Sequence, residues 1–120
     1  MKKLEQRLSF LLLGQGGGEN RARIIELLKD RPYNKNQISD KLDLNYQTVE
    51  HHVKKLVEHD ILIQSEGGDY GRVYFLNKRL EDNFEIFEKL SEKIKRFTAS
   101  PVLLKNLLKQ SDVGFIITDV

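Results

Sequence analysis

The chain has 120 residues, 39% hydrophobic and 32% charged, which suits one compact domain with a few added elements. Its 20 Lys and Arg against 18 Asp and Glu leave a net charge of +2, so global charge alone does not select nucleic acid as a partner. Cysteine is absent, which excludes disulfides, thiolate metal ligands and cysteine nucleophiles, and the longest apolar runs (Phe10–Leu13 and Phe115–Ile117) are too short to cross a bilayer. Met1-Lys2-Lys3 opens like a signal peptide, but Glu5 and Arg7 interrupt any apolar stretch behind it, so the expectation is a cytoplasmic protein without a membrane partner.

Residues 2–13 carry Leu4, Leu8, Leu11 and Leu12 on one helical face. Gly14-Gln15-Gly16-Gly17-Gly18 stops that helix. A phosphate loop would need Gly-Lys-Ser/Thr after the glycines, whereas Glu19-Asn20 follows, so the run is expected to be a flexible hinge. Residues 1–31 concentrate basic groups: Lys2, Lys3, Arg7, Arg21, Arg23, Lys29 and Arg31. Asn20 is the expected N-cap of a second helix reaching Asp30, which Arg31-Pro32 ends. Asn34 and Gln37 have capping-box spacing for a short third helix with Ile38 and Leu42, and Asn45 caps a fourth that runs to about His59. Val49, Val53, Leu56 and Val57 form its apolar set.

The period then changes from helix to strand. Residues 61–63 and 72–76, rich in β-branched and aromatic side chains, flank the polar, glycine-bearing connector 64–71 and predict a hairpin with a long tip. Phe84, Phe87, Leu90, Ile94 and Phe97 predict one helix from Asp82 to Phe97. Ser100-Pro101 starts a further short apolar helix, and Gly114–Thr118 reads as a strand-like tail.

Helix, short helix, three-residue link, longer helix and hairpin is the order of a winged helix-turn-helix. The DNA major groove, about 12 Å wide, admits one helix, and a second helix must hold it at a fixed angle, here Ile38 and Leu42 against Val49 and Val53. With Val49 inward, Gln47, His51, Lys54 and Glu58 fall on the opposite side of the fourth helix, flanked by Thr48 and Lys55. Gln47 can bond adenine in pairs, Thr48 can meet a thymine methyl or a phosphate, and His51 can contact a base edge or a phosphate. Lys54 and Lys55 suit phosphates. Tyr46, Gln47, Thr48 and His51, near the helix start, are the expected readers, and Arg72 of the wing the expected backbone or minor-groove contact. His52, about 60° from the core axis, is expected to be a half-buried packing or phosphate-contacting residue.

The run 37–56, above all Thr48-Val49-Glu50-His51-His52-Val53-Lys54-Lys55-Leu56, followed by Asp60-Ile61-Leu62 and a glycine-bearing wing, resembles the ArsR-like winged-helix transcription regulators, especially archaeal ones. The resemblance covers roughly residues 19–97. It implies a homodimer that pairs through terminal helices and binds operator or promoter DNA. Metal-sensing members carry a cysteine pair near the recognition helix, or His and acidic ligands on the dimer helix. Neither set is present here, so no metal or other cofactor is expected.

The expected fold is therefore mainly α with a small β-hairpin wing: a winged helix-turn-helix with N- and C-terminal dimerisation helices. Residues 1–18 form the first helix and hinge, 19–78 the DNA-binding domain, 79–100 the dimerisation helix, and 101–120 a short helix and tail. Leu4, Leu8, Phe84, Phe87, Leu90, Ile94 and Phe97 are the expected dimer interface, because a domain this small is not expected to cover a long aromatic helix alone. The expected function is a sequence-specific regulator of transcription on double-stranded DNA, with helix 45–59 in the major groove and wing 64–72 on the backbone or minor groove. The alternative is a protein-interaction module that recruits a partner of the basal transcription machinery through the apolar C-terminal extension. Paired catalytic carboxylates, a nucleophile elbow and a cofactor fingerprint are all missing, so an enzyme is not expected.

Overall fold

The computed structural model describes residues 2–68 and 71–99, without the side chains of residues 2 and 97–99. The short helix and tail expected over 101–120 lie outside the described residues. Among the described residues, six helices and one hairpin follow in the order α1 (Lys2–Leu13), α2 (Gly18–Asp30), α3 (Lys35–Leu42), α4 (Tyr46–Glu58), β1 (Leu62–Gln64), β2 (Tyr74–Leu76), α5 (Lys78–Asp82) and α6 (Phe84–Ala99).

Local chemistry sets the helix ends that matter for the site. Asn34 Oδ1 accepts from the Gln37 amide at 2.8 Å while Gln37 Oε1 accepts from the Asn34 amide at 2.9 Å, a complete capping box for α3. Asp43 turns the chain with a left-handed φ of 53°, and Asn45 Oδ1 caps α4 by accepting from the Gln47 amide at 2.7 Å. The start of α2 differs from expectation. Its N-cap is Gly17, in a left-handed conformation with φ 89°, and the helix begins at Gly18, ahead of Asn20. The glycine run is thus a tight turn rather than a hinge. At Gly18 any Cβ would overlap the Leu12 carbonyl, and at Gly17 it would stand 2.6 Å from Cε1 of His52. Only glycine lets α1, α2 and α4 converge there.

β1 keeps its expected three residues but starts one position later, β2 is three residues rather than five, and they pair antiparallel with Leu62 opposite Leu76 and Gln64 opposite Tyr74. Tyr33, in the link between α2 and α3, adds a bridge on the far side of β2: its amide donates to the Tyr74 carbonyl at 3.3 Å and its carbonyl accepts from the Tyr74 amide at 2.9 Å. The helix expected over 82–97 is present as α6, beginning two residues later at Phe84, and the short α5 precedes it, separated from it at Asn83.

One core unites these elements. Ile38, Val49, Val53 and Leu56 are buried where α3, α4 and α2 meet, and α1 packs along α6. Leu4, Leu8, Phe84, Phe87 and Leu90, the expected subunit interface, are all at most 7% exposed within a single chain, where α1 packs along α6. Ile94 is half-buried against the same core, and the Phe97 side chain lies outside the described part. Among the described residues, no helix is long and apolar enough to cross a membrane.

Candidate nucleic-acid interface

Burial divides α4 into two faces. Val49, Val53 and Leu56 point inward, while Gln47, Glu50, His51, Lys54 and Glu58 are exposed. Between this outer face and the hairpin runs an open groove of about 490 Å³, lined among others by Gln47, His51, Lys54, Lys35, Gln64 and Arg72. The structure therefore gathers four of the expected contact residues, Gln47, His51, Lys54 and Arg72, from two separate elements. Tyr46, Thr48 and Lys55 lie outside it: Tyr46 is 38% exposed at the start of α4, and Thr48 and Lys55 are half-buried on its flank.

Arg72 approaches from the wing. Its Nη2 donates to the Gly67 carbonyl at 3.0 Å, and its Nε is buried without a hydrogen-bond partner among the described residues. Tyr70, two positions before it, lies outside the described residues. Lys35 is the groove residue that pattern reading missed. Its Nζ stands 3.1 Å from Glu50 Oε2 and 5.7 Å from the centre of the Tyr46 ring. Desolvation pulls the Lys35 pKa down, but the hydrogen bond its ammonium donates to Glu50 and attraction to Tyr74, Tyr46 and Glu50 outweigh it, so its pKa is raised. Hydrophobic periodicity carries no signal for such a lysine; the only clue was its place in the first turn of the short helix, just after the cap.

Glu50 and Glu58 stand in the same groove, so Lys54 and Lys35 work beside carboxylates and the surface is mixed rather than uniformly basic. Three of the basic groups of residues 1–31 are engaged within the fold rather than free on its surface. Arg21 is 2% exposed. Arg23 donates to the Leu42 carbonyl at 2.7 Å, at the end of α3, and Arg7 donates to the His59 carbonyl at 3.1 Å and pairs with Asp60. His52 is buried more deeply than expected, 6% exposed, with its Nδ1 accepting from Arg21 Nε at 3.1 Å. Burial, then the charges of Arg21 and His51, push the His52 pKa down. Among the described residues, no group of three or more His, Asp or Glu is placed to hold a metal ion.

The likeness to known proteins follows this geometry. No curated protein matches the chain in sequence. A solved structure of a mutant of ZitR from Lactococcus lactis superposes with a TM-score of 0.51 at 17% identity, covering 82% of this chain and 66% of that one, which shows a shared fold. Residues 18–63, from the start of α2 into β1, match the family described as bacterial regulatory protein, arsR family, and the chain is a winged helix-turn-helix with an arsR-type helix-turn-helix segment.

Proposed function

We propose that the protein regulates transcription by binding double-stranded DNA in a sequence-specific manner, with α4 in the major groove and the wing on the backbone or in the minor groove. The observation that carries this reading is the shared groove: Gln47, His51 and Lys54 of α4 and Arg72 of the wing open onto one surface, opposite the buried Val49, Val53 and Leu56. α4 has 13 residues and so is about 20 Å long, enough to lie in one groove. Gln47 and His51 would meet base edges; Lys54, Lys55, Lys35 and Arg72 would meet phosphates, with Tyr46 and Thr48 at the entry to the groove. Residues 19–78 would form the DNA-binding unit, and two copies would pair to read two half-sites. Since Leu4, Leu8, Phe84, Phe87 and Leu90 are enclosed, pairing would draw on outward apolar positions such as Phe10 and Leu13 of α1, 49% and 46% exposed.

The test is recovery of sheared genomic DNA by the purified protein, beside a Gln47→Ala/His51→Ala variant, over a series of salt concentrations. A small set of enriched sites, lost in the variant and weakening steeply with salt, is the expected result. Identical site preference in both proteins would remove α4 as the reading element, and association insensitive to salt would remove DNA as the partner.

A further inference from the structure

Arg21 is among the largest fully enclosed side chains, and among the described residues its hydrogen bonds go to no carboxylate. A buried cation usually demands a counter-charge. Here the guanidinium is held by two neutral acceptors. Its Nη1 donates to the Leu11 carbonyl at 2.9 Å, near the end of α1, where helix carbonyls lack an intrahelical donor and favour a cation. Its Nε donates to His52 Nδ1 at 3.1 Å.

The second bond dictates a protonation state. A guanidinium cannot accept a hydrogen bond, so Nδ1 must present its lone pair and the neutral imidazole must carry its proton on Nε2. We infer that Arg21 is a positioning residue for the DNA-facing helix: it selects the Nε2-protonated, neutral form of His52 and so ties α4 to the C-terminal end of α1. This inference rests on the assignment of α4 as the reading helix. His51, whose ring centre lies 5.2 Å from that of His52, is the adjoining outward residue and takes its position from the same tie.

The surroundings of His52 make the tie sensitive to charge. Arg21 faces it from α2, His51 adjoins it on α4, and the backbone of Gly17 closes over Cε1; α1 acts through the Leu11 carbonyl held by Arg21. A protonated His52 has no lone pair for Arg21 and sets two cations side by side. Loss of the bond frees α4 to rotate against α1 and α2, and the placement of Gln47 and His51 is lost with it.

The experiment has two readings on the full chain. Nitrogen-15 NMR of the imidazoles reports the tautomer directly: His52 is expected to show an unprotonated Nδ1 near neutral pH, and to lose that preference in Arg21→Met. A wild-type His52 protonated on Nδ1 overturns the inference, whatever the variant does. The second reading is DNA affinity against pH in a His51→Gln background, which removes the neighbouring titration. Affinity is expected to fall with acidification, approaching about tenfold per pH unit once His52 protonates. In His51→Gln/His52→Asn the amide oxygen can still accept from Arg21 but cannot titrate, so the curve is expected to be flat. Equal pH slopes in the two proteins overturn the inference while leaving DNA binding intact. Absence of DNA binding in every protein overturns the functional reading, and the tautomer then decides the Arg21–His52 contact separately.

Discussion

Replacing Gly17 by alanine is expected to be one of the costliest single-methyl additions in the chain. Two effects add. Gly17 has φ 89°, a left-handed conformation that costs an L-residue about 1–2 kcal/mol. The new Cβ would also lie 2.6 Å from His52 Cε1, and overpacking of this kind costs about 1–3 kcal/mol. The combined loss is about 2–5 kcal/mol, or a fall in Tm of about 8–20 °C for a domain of this size. Thermal unfolding followed by circular dichroism measures it. Gly16→Ala is the control, because a Cβ there has nothing within 4 Å; it should be neutral or slightly stabilising. In Gly17→Ala/His52→Ala the imidazole is gone, so the backbone part of the loss should remain while the steric part cancels, seen as a favourable coupling in the double-mutant cycle. A Gly17→Ala protein melting with wild type would refute the reasoning, as would zero coupling with His52.

Three further outcomes follow from the packing and the groove. Phe87, 1% exposed in a single chain, makes Phe87→Glu a folding mutation: a loss of at least about 3 kcal/mol and a non-cooperative melt are expected, and a stable folded monomer by light scattering would return Phe87 to the subunit interface. Glu50→Gln releases Lys35 and removes a carboxylate from the groove, so DNA affinity should rise and the salt slope steepen by about one unit; an unchanged slope would exclude Lys35 from phosphate contact. Because the His52 pKa is depressed by burial, and then by Arg21 and His51, the unfolded chain takes up a proton at a higher pH than the folded one. Stability should therefore be greatest above the ordinary histidine value of 6.5 and fall as pH drops below it, levelling once folded His52 protonates. Urea midpoints above and below that value measure this, and His52→Asn should lose most of the dependence.

What could be read from the sequence was local. The Asn34/Gln37 cap, the Asn45 cap and the inward face of α4 depend on residues within a few positions of one another, the hairpin shows as two strand-like runs around a glycine-bearing connector, and the structure has each of them. The missed features join distant segments. Periodicity sorts arginine and histidine as surface groups, so it could not show Arg21 reaching both Leu11 and His52. It equally could not show that α1 lies over Phe84 and Phe87, nor that Gly17 and Gly18 are required by Leu12 and His52 rather than by chain flexibility. Lys35 was overlooked because its role comes from Glu50, fifteen positions away on the next helix.

The Tyr33 bridge gives the small sheet a direction. Among the described residues, Tyr33 pairs on one side of β2 and β1 on the other, so β2 is an interior strand and β1 presents an open margin. That margin carries Ile63, 37% exposed, beside Gln64 at the mouth of the groove. Open margins invite another extended chain to add on by backbone pairing, and shortness is one of the ways proteins discourage it. At three residues, Leu62–Gln64 offers too few amides to hold a stranger. Any change that lengthened β1 toward the wing tip would turn the same margin into an adhesive one.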